Sequence, residues 1–164
     1  MQAFLSLPLS PAIVKNTAWD IVAWNRAAEV VLTDYASIAP EQRNILRIFF
    51  SESCARSQML DWENHARSMV AAFRSDAVRS GASDSVEALV DDLIRSSPEF
   101  AAIWRDHDVQ THGEGTKHFR HSSAGAITLE YSAFAVIGRP DLNLAIYTPS
   151  TPMDAERIRS ILES

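Results

Sequence analysis

Four histidines, His107, His112, His118 and His121, fall within the stretch "HDVQTHGEGTKHFRH". Imidazoles that close together raise the question of a metal. A zinc site holds its ligands in tetrahedral geometry, often with two histidines one helical turn apart. This stretch contains no HExxH and no cysteine. The alternation in "KHFRH" puts His118 and His121 on opposite faces of a regular strand. No metal centre is expected. The single cysteine, Cys54, lies near Arg56, a setting that can lower a thiol's pKa, but no histidine or asparagine is placed as its partner. G-x-S-x-G, Walker and G-x-G-x-x-G patterns are absent, and "HGEG" is too short to cradle a phosphate. The chain does not read as an enzyme.

Binding chemistry is better represented. Trp19, Trp24, Trp62 and Trp104 all fall at or near core-facing positions. Large aromatics there form either plain core or the walls of an apolar cavity. Arg74 follows Phe73 on an amphipathic helix, and His107 comes about one turn after Trp104. Each is either a solvated surface residue or the one polar group that orients a carboxylate in an apolar pocket.

Composition bounds the alternatives. A chain of 164 residues supports one domain, 1–164, with one sizeable core. Its net charge is −6, its two lysines are Lys15 and Lys117, and its arginines are scattered, so no basic stripe exists to neutralise nucleic-acid phosphates. No apolar run approaches the roughly 18 residues of a membrane span. The opening "MQAFLSLPLSPAIV" lacks a basic n-region and carries two prolines, so no export signal is expected. One cysteine fits a reducing compartment, and the cytoplasm is the expected location.

The elements that would position such a site follow from periodicity. "AIVKN" and "WDIVAW" read as a strand pair, and Asn25 caps a helix whose apolar residues fall at 27, 28, 31, 32 and 35. "PEQRNILRIFF" reads as a short helix. Met59, Trp62, Ala66, Met69 and Phe73 mark one face of a longer one, which "RSGAS" ends with Gly81 left-handed. Asp84 and Glu87 suggest a capping box before Val86, Leu89, Val90, Leu93 and Ile94. Ser97 and Pro98 start another helix. In "AITLEYSAFAVI", Ile127, Leu129, Tyr131, Ala133 and Ala135 share one face; "GRPD" is a turn signal, and "LNLAIYT" completes a hairpin. A capped helix, "TPMDAERIRSIL", closes the chain. Two strand groups separated by helices imply an α+β fold, with a single antiparallel sheet and several helices on one face. PAS-like domains are built this way.

The segments "WDIVAWN", "RNILR", "DWE" ahead of Arg74, "SPEFAAIWRDHDV" and "GAITLEY" closely resemble the C-terminal ligand-binding domain of the MmyB-like transcription regulators. The similarity runs from about Leu7 to the end, and "SPEF" through "HDV" is its most specific part. The resemblance implies a PAS-like domain of a bacterial regulator that holds a fatty acid or similar small molecule, with no other cofactor. It also implies a preceding helix-turn-helix of the XRE type. That module is absent from this chain, so DNA contact is expected only through it. Asn25, Asn44, Arg74, Trp104, His107, Asp108, His121 and Gly125 occupy the family's motif positions. Arg74, His107 and His121 are then the polar candidates for the pocket, with Phe73, Trp104 and Tyr131 as walls; Asp108 reads as orienting a neighbour. A ligand-free module that holds two DNA-binding heads together as a homodimer is the alternative.

Overall fold

The computed structural model describes residues 7–51, 59–81, 83–106 and 115–164, so Cys54, His107, Asp108 and His112 lie outside the described residues. Strands β1 (Ala12–Asn16) and β2 (Ile21–Trp24) form the first hairpin, with Ile13 opposite Trp24. Its turn is built by Asn16, whose Oδ1 accepts from the Ala18 N–H at 3.0 Å and the Asp20 N–H at 2.9 Å. Trp19 sits in this turn, not in the strand where the sequence placed it, with a left-handed φ of 67°. A bulky residue adopts that conformation only when its surroundings over-determine it. Here the indole stacks edge-on against Phe73 at 5.4 Å, lies 3.6 Å from the Lys15 ammonium, and donates to Asp76 at 3.0 Å.

Asn25 starts α1 (Arg26–Val31) as expected, its Oδ1 accepting from the Ala28 N–H. The same oxygen accepts from the Ala12 N–H, and its amide donates to the Ser10 carbonyl, so one buried side chain ties the helix to β1. The single helix expected over "PEQRNILRIFF" is divided. Pro40–Gln42 is one 3-10 turn, and α2 (Ile45–Phe49) starts afresh, because Asn44 accepts from the Leu46 and Arg47 N–H groups. Helix α3 (Trp62–Arg79) begins after Asp61, whose φ of 60° breaks the periodicity and leaves Met59 outside, bridged to Phe119. Gly81 follows it at φ 68°. Ser83, not Asp84, caps α4 (Asp84–Ser96), accepting from the Val86 N–H; Asp84 is its first residue, where a carboxylate still favours the helix dipole. Ser97 and Pro98 start α5 (Pro98–Arg105) as the sequence implies.

Strands β3 (Gly115–His121), β4 (Gly125–Val136) and β5 (Arg139–Pro149) complete one antiparallel sheet in the order β2-β1-β5-β4-β3. Val136 pairs with Arg139, so the turn is Ile137–Gly138, with Gly138 at φ 81°, and "RPD" already belongs to β5. Thr151 caps the last helix, α6 (Pro152–Glu163), whose fully buried Ile158 packs on Val31, Ile127 and Leu129.

Strand alternation divides the sheet into two faces. One carries Ile13, Lys15, Lys117, Phe119, Ile127, Leu129, Tyr131, Ala145 and Tyr147, and the helices lie over it. Ala133 and Ala135 share this side but are exposed. The other carries Ala12, Val14, Leu142, Leu144, Ile146 and Val136, which among the described residues cluster with one another and with Ala23. The architecture is α+β, one antiparallel sheet with helices on one face, compatible with the PAS-like arrangement expected. A separate core joins α3, α4 and α5 around Phe73, Val70, Leu89, Leu93 and Phe100.

Candidate ligand-binding site

Between α2, α3 and the inner face of the sheet lies a chamber of about 120 Å³, bounded by Ile13, Tyr35, Ile48, Met69, Phe119 and Tyr147. It has room for about four water molecules at ~30 Å³ each. Leu32, Thr33, Ile48 and Phe119 also wall a groove of about 540 Å³ that runs between α1, α2 and the end of β3. The two spaces therefore adjoin. The groove alone falls in the volume class of small-molecule sites, roughly 300–1,000 Å³.

Sequence dictates this hollow. Strand alternation points Phe119 and Tyr147 inward from neighbouring parts of the sheet, and α2 presents Ile45, Ile48 and Phe49 from above. Four β-branched isoleucines, two methionines and the rings give walls that are apolar and partly deformable. Into this lining projects Lys117, half-buried, with its Nζ 5.7 Å from the centroid of the Tyr131 ring. Burial pulls the Lys117 ammonium below its ordinary pKa. Tyr147 is pushed well up by burial, then by the neighbouring phenols of Tyr131 and Tyr35, so it stays a protonated donor. His65, on α3, is pulled down by burial and then by the charge of Lys117.

The residues singled out from the sequence do not converge on one point. Phe73 is fully buried in the helical core, with its ring 6.4 Å from Trp104 and 5.4 Å from Trp19. Trp104 stacks on Phe100 at 5.6 Å, and Arg74 lies over the Trp104 ring at 4.5 Å while donating to the Trp104 carbonyl. These three belong together, in the α3–α5 contact. Tyr131 stands on the sheet, 5.3 Å from Tyr147 and beside Lys117. His121 lines the groove, where Nε2 donates to the Val30 carbonyl at 2.9 Å and Nδ1 accepts from the Ser123 N–H at 3.2 Å. That pairing fits the Nε2–H tautomer. His118 faces the opposite side, 3.2 Å from the Thr128 hydroxyl. Among the described residues no three His, Cys, Asp or Glu side chains are placed to share a metal ion, and no helix is long and apolar enough to cross a membrane.

Sequence reasoning passed over Lys117, Tyr35, Tyr147, Phe119 and Met69. One signal was present: of only two lysines in the chain, Lys117 alternates with Phe119 in "KHFRH", which gives both the same face.

A search of curated proteins finds no significant match. The profile of a regulator family does match, over residues 2–160, nearly the whole length. A sheet with helices on one face and a hollow between the layers is compatible with a ligand-binding domain. The chain belongs to the MmyB-like transcription regulator ligand binding domain family.

Proposed function

We propose that this domain senses an effector, a fatty acid or similar small apolar carboxylate, held between the helices and the inner face of the sheet. The observation that carries this reading is the apolar chamber adjoining the larger groove through Leu32, Ile48 and Phe119. An acyl chain of about a dozen methylenes gains on the order of 10 kcal/mol gross on burial, at ~0.8 per methylene. Ordering and association costs reduce that to micromolar affinity or better. The chamber by itself is too small for such a chain, so the tail extends along the shared wall into the groove. His121 then borders the ligand and Tyr131 stands beside its inner end, while Phe73, Arg74 and Trp104 set the position of α3 behind it.

The domain works within a bacterial regulator of the XRE type in the cytoplasm. A helix-turn-helix part makes the DNA contacts, and ligand binding biases that part. The bias requires the effector to bind one arrangement of the domain more tightly than another, since equal affinity shifts nothing. The groove meets this need by lying between α1, α2 and β3, elements that a bound chain would hold together.

Native mass spectrometry of the purified domain and calorimetry with dodecanoic acid test the reading. One bound acid per chain with micromolar or tighter affinity supports it; no binding, with the fold intact, sinks it. A second reading, a ligand-free dimerisation module, draws on the exposed Phe134, which pairs with Leu144 on the sheet face away from the helices. It predicts a dimer in sedimentation whose strength ignores added dodecanoic acid.

A further inference from the structure

We propose that Lys117 is the residue through which the pocket selects a carboxylate head group, an assignment that rests on the effector-sensing reading above. Among the described residues, Lys117 is the single charged side chain on the chamber wall; the others are apolar or carry hydroxyls. Its ammonium is half-buried over the Tyr131 ring, and no Asp or Glu among the described residues forms an ion pair with it. Three cations of the helical layer are already committed. Arg47 pairs with Asp92 at 2.9 Å, Arg67 with Asp106 at 2.8 Å, and Arg74 is held by Trp104.

An ammonium against an apolar wall loses hydration, and among the described residues only the Tyr131 ring partly offsets that loss. A ligand carrying one carboxylate on an apolar tail supplies the counter-charge and fills the wall at once. An alcohol of the same length fills the wall and leaves the charge unmatched. Tyr147, on the same chamber, offers a hydroxyl as a second donor to the incoming oxygen. Lys15, the chain's other lysine, points to the same face but is taken up by the Trp19 ring at 3.6 Å and has the charge of Asp76 near it.

Calorimetry on the wild-type domain and its Lys117→Met and Lys117→Arg variants, with dodecanoic acid and dodecanol as probes, reads this out. The wild type is expected to prefer the acid by about tenfold or more, as a charge-assisted hydrogen bond implies. Lys117→Met should level the two affinities mainly by weakening the acid, and Lys117→Arg should keep the preference. Equal wild-type affinities for acid and alcohol overturn the assignment while leaving the effector reading intact. So does an acid preference that survives Lys117→Met. Binding of neither probe by the folded wild type sinks the effector reading and this assignment with it. The wild-type comparison of acid with alcohol decides the matter even if a Lys117 variant fails to fold.

Discussion

The guanidinium of Arg74 lies 4.5 Å from the centre of the Trp104 ring and donates to the carbonyl of that same residue. Trp104 is in the last turn of α5, so the contact places a cation where the helix presents its unsatisfied carbonyls. Arg74 thereby fastens α3 to the end of α5 through both its plane and its charge. Arg74→Ala should lower stability by about 1–2 kcal/mol, and Arg74→Lys should recover less than half of the loss. Urea unfolding measures this. Dodecanoic acid affinity of the folded variant should change by less than about threefold, since Arg74 touches neither the chamber nor the groove.

Asn44 is 1% exposed and spends every group of its amide. It accepts from the first N–H groups of α2 and donates to the Ala18 carbonyl at 2.8 Å and the Asp20 carboxylate at 2.9 Å. Asn44→Ala removes a cap and strands buried partners, so a loss of about 3 kcal/mol is expected in chemical denaturation. Asn44→Asp keeps the cap but sets a second carboxylate against Asp20. Its destabilisation should therefore be larger at pH 7 than at pH 4, where protonation relieves the repulsion.

Lys15 is 5% exposed, and burial brings its pKa down to about 8, partly countered by the charge of Asp76. Unfolded, the same group titrates near 10.4. Between these values the unfolded chain holds a proton that the folded one has lost, so stability rises with pH across the window from about 8 to about 10. The full rise is on the order of 3 kcal/mol for this group. Above pH 10 the trend reverses, because burial raises the Tyr35 and Tyr147 phenols and ionisation favours the unfolded chain. Denaturation midpoints at pH 7, 8, 9 and 10 should show a maximum near 10, and Lys15→Met should remove most of the rise.

Asp154 closes the start of α6 on the sheet. One carboxylate oxygen accepts from the Thr128 N–H at 3.0 Å and the other from the Thr151 hydroxyl at 2.6 Å. Burial pushes its pKa up, but these hydrogen bonds and Arg157 outweigh it and hold the carboxyl below the ordinary value. Its contribution is therefore complete above about pH 3.9 and fades as pH falls through the lower folded value. Asp154→Ala should cost about 2 kcal/mol at pH 7 and less at pH 2, seen in thermal unfolding.

Ile48 walls both the chamber and the groove. Ile48→Trp should block the passage between them at an overpacking cost of about 1–3 kcal/mol. Affinity for dodecanoic acid should fall by about tenfold or more, whereas hexanoic acid should be affected much less. Calorimetry with the two acids checks this.

Periodicity and capping chemistry made much of the fold legible. Asn25, Ser97 and Thr151 cap where a side-chain oxygen next to an apolar stripe says they should, and the alternation over Ile127, Leu129 and Tyr131 identified a strand with one covered face. Trp19 escaped because its left-handed backbone is imposed by Phe73 and Asp76, far along the chain. The division at Asn44 escaped because the helical pattern continues across it, while the asparagine's real partners are in the first hairpin. For the site the difficulty is general. A helical stripe containing Phe73 and Trp104 announces burial but not whether the neighbour is a ligand or another helix. Which strand faces border a hollow is set by the register of β3 and β5, and no local pattern carries that.

Ile13, in the second strand position of the sheet, pairs with Ala145 near the opposite end of the chain. A newly made chain therefore carries β1 and β2 with one hydrogen-bonding edge open until β5 has been synthesised. Closing so long a loop costs entropy before any contact rewards it, which makes assembly of the sheet slow for a domain of this size. In the meantime the apolar strand "AIV" is a ready template for another chain, so folding yield should suffer first when expression outruns the supply of chaperones.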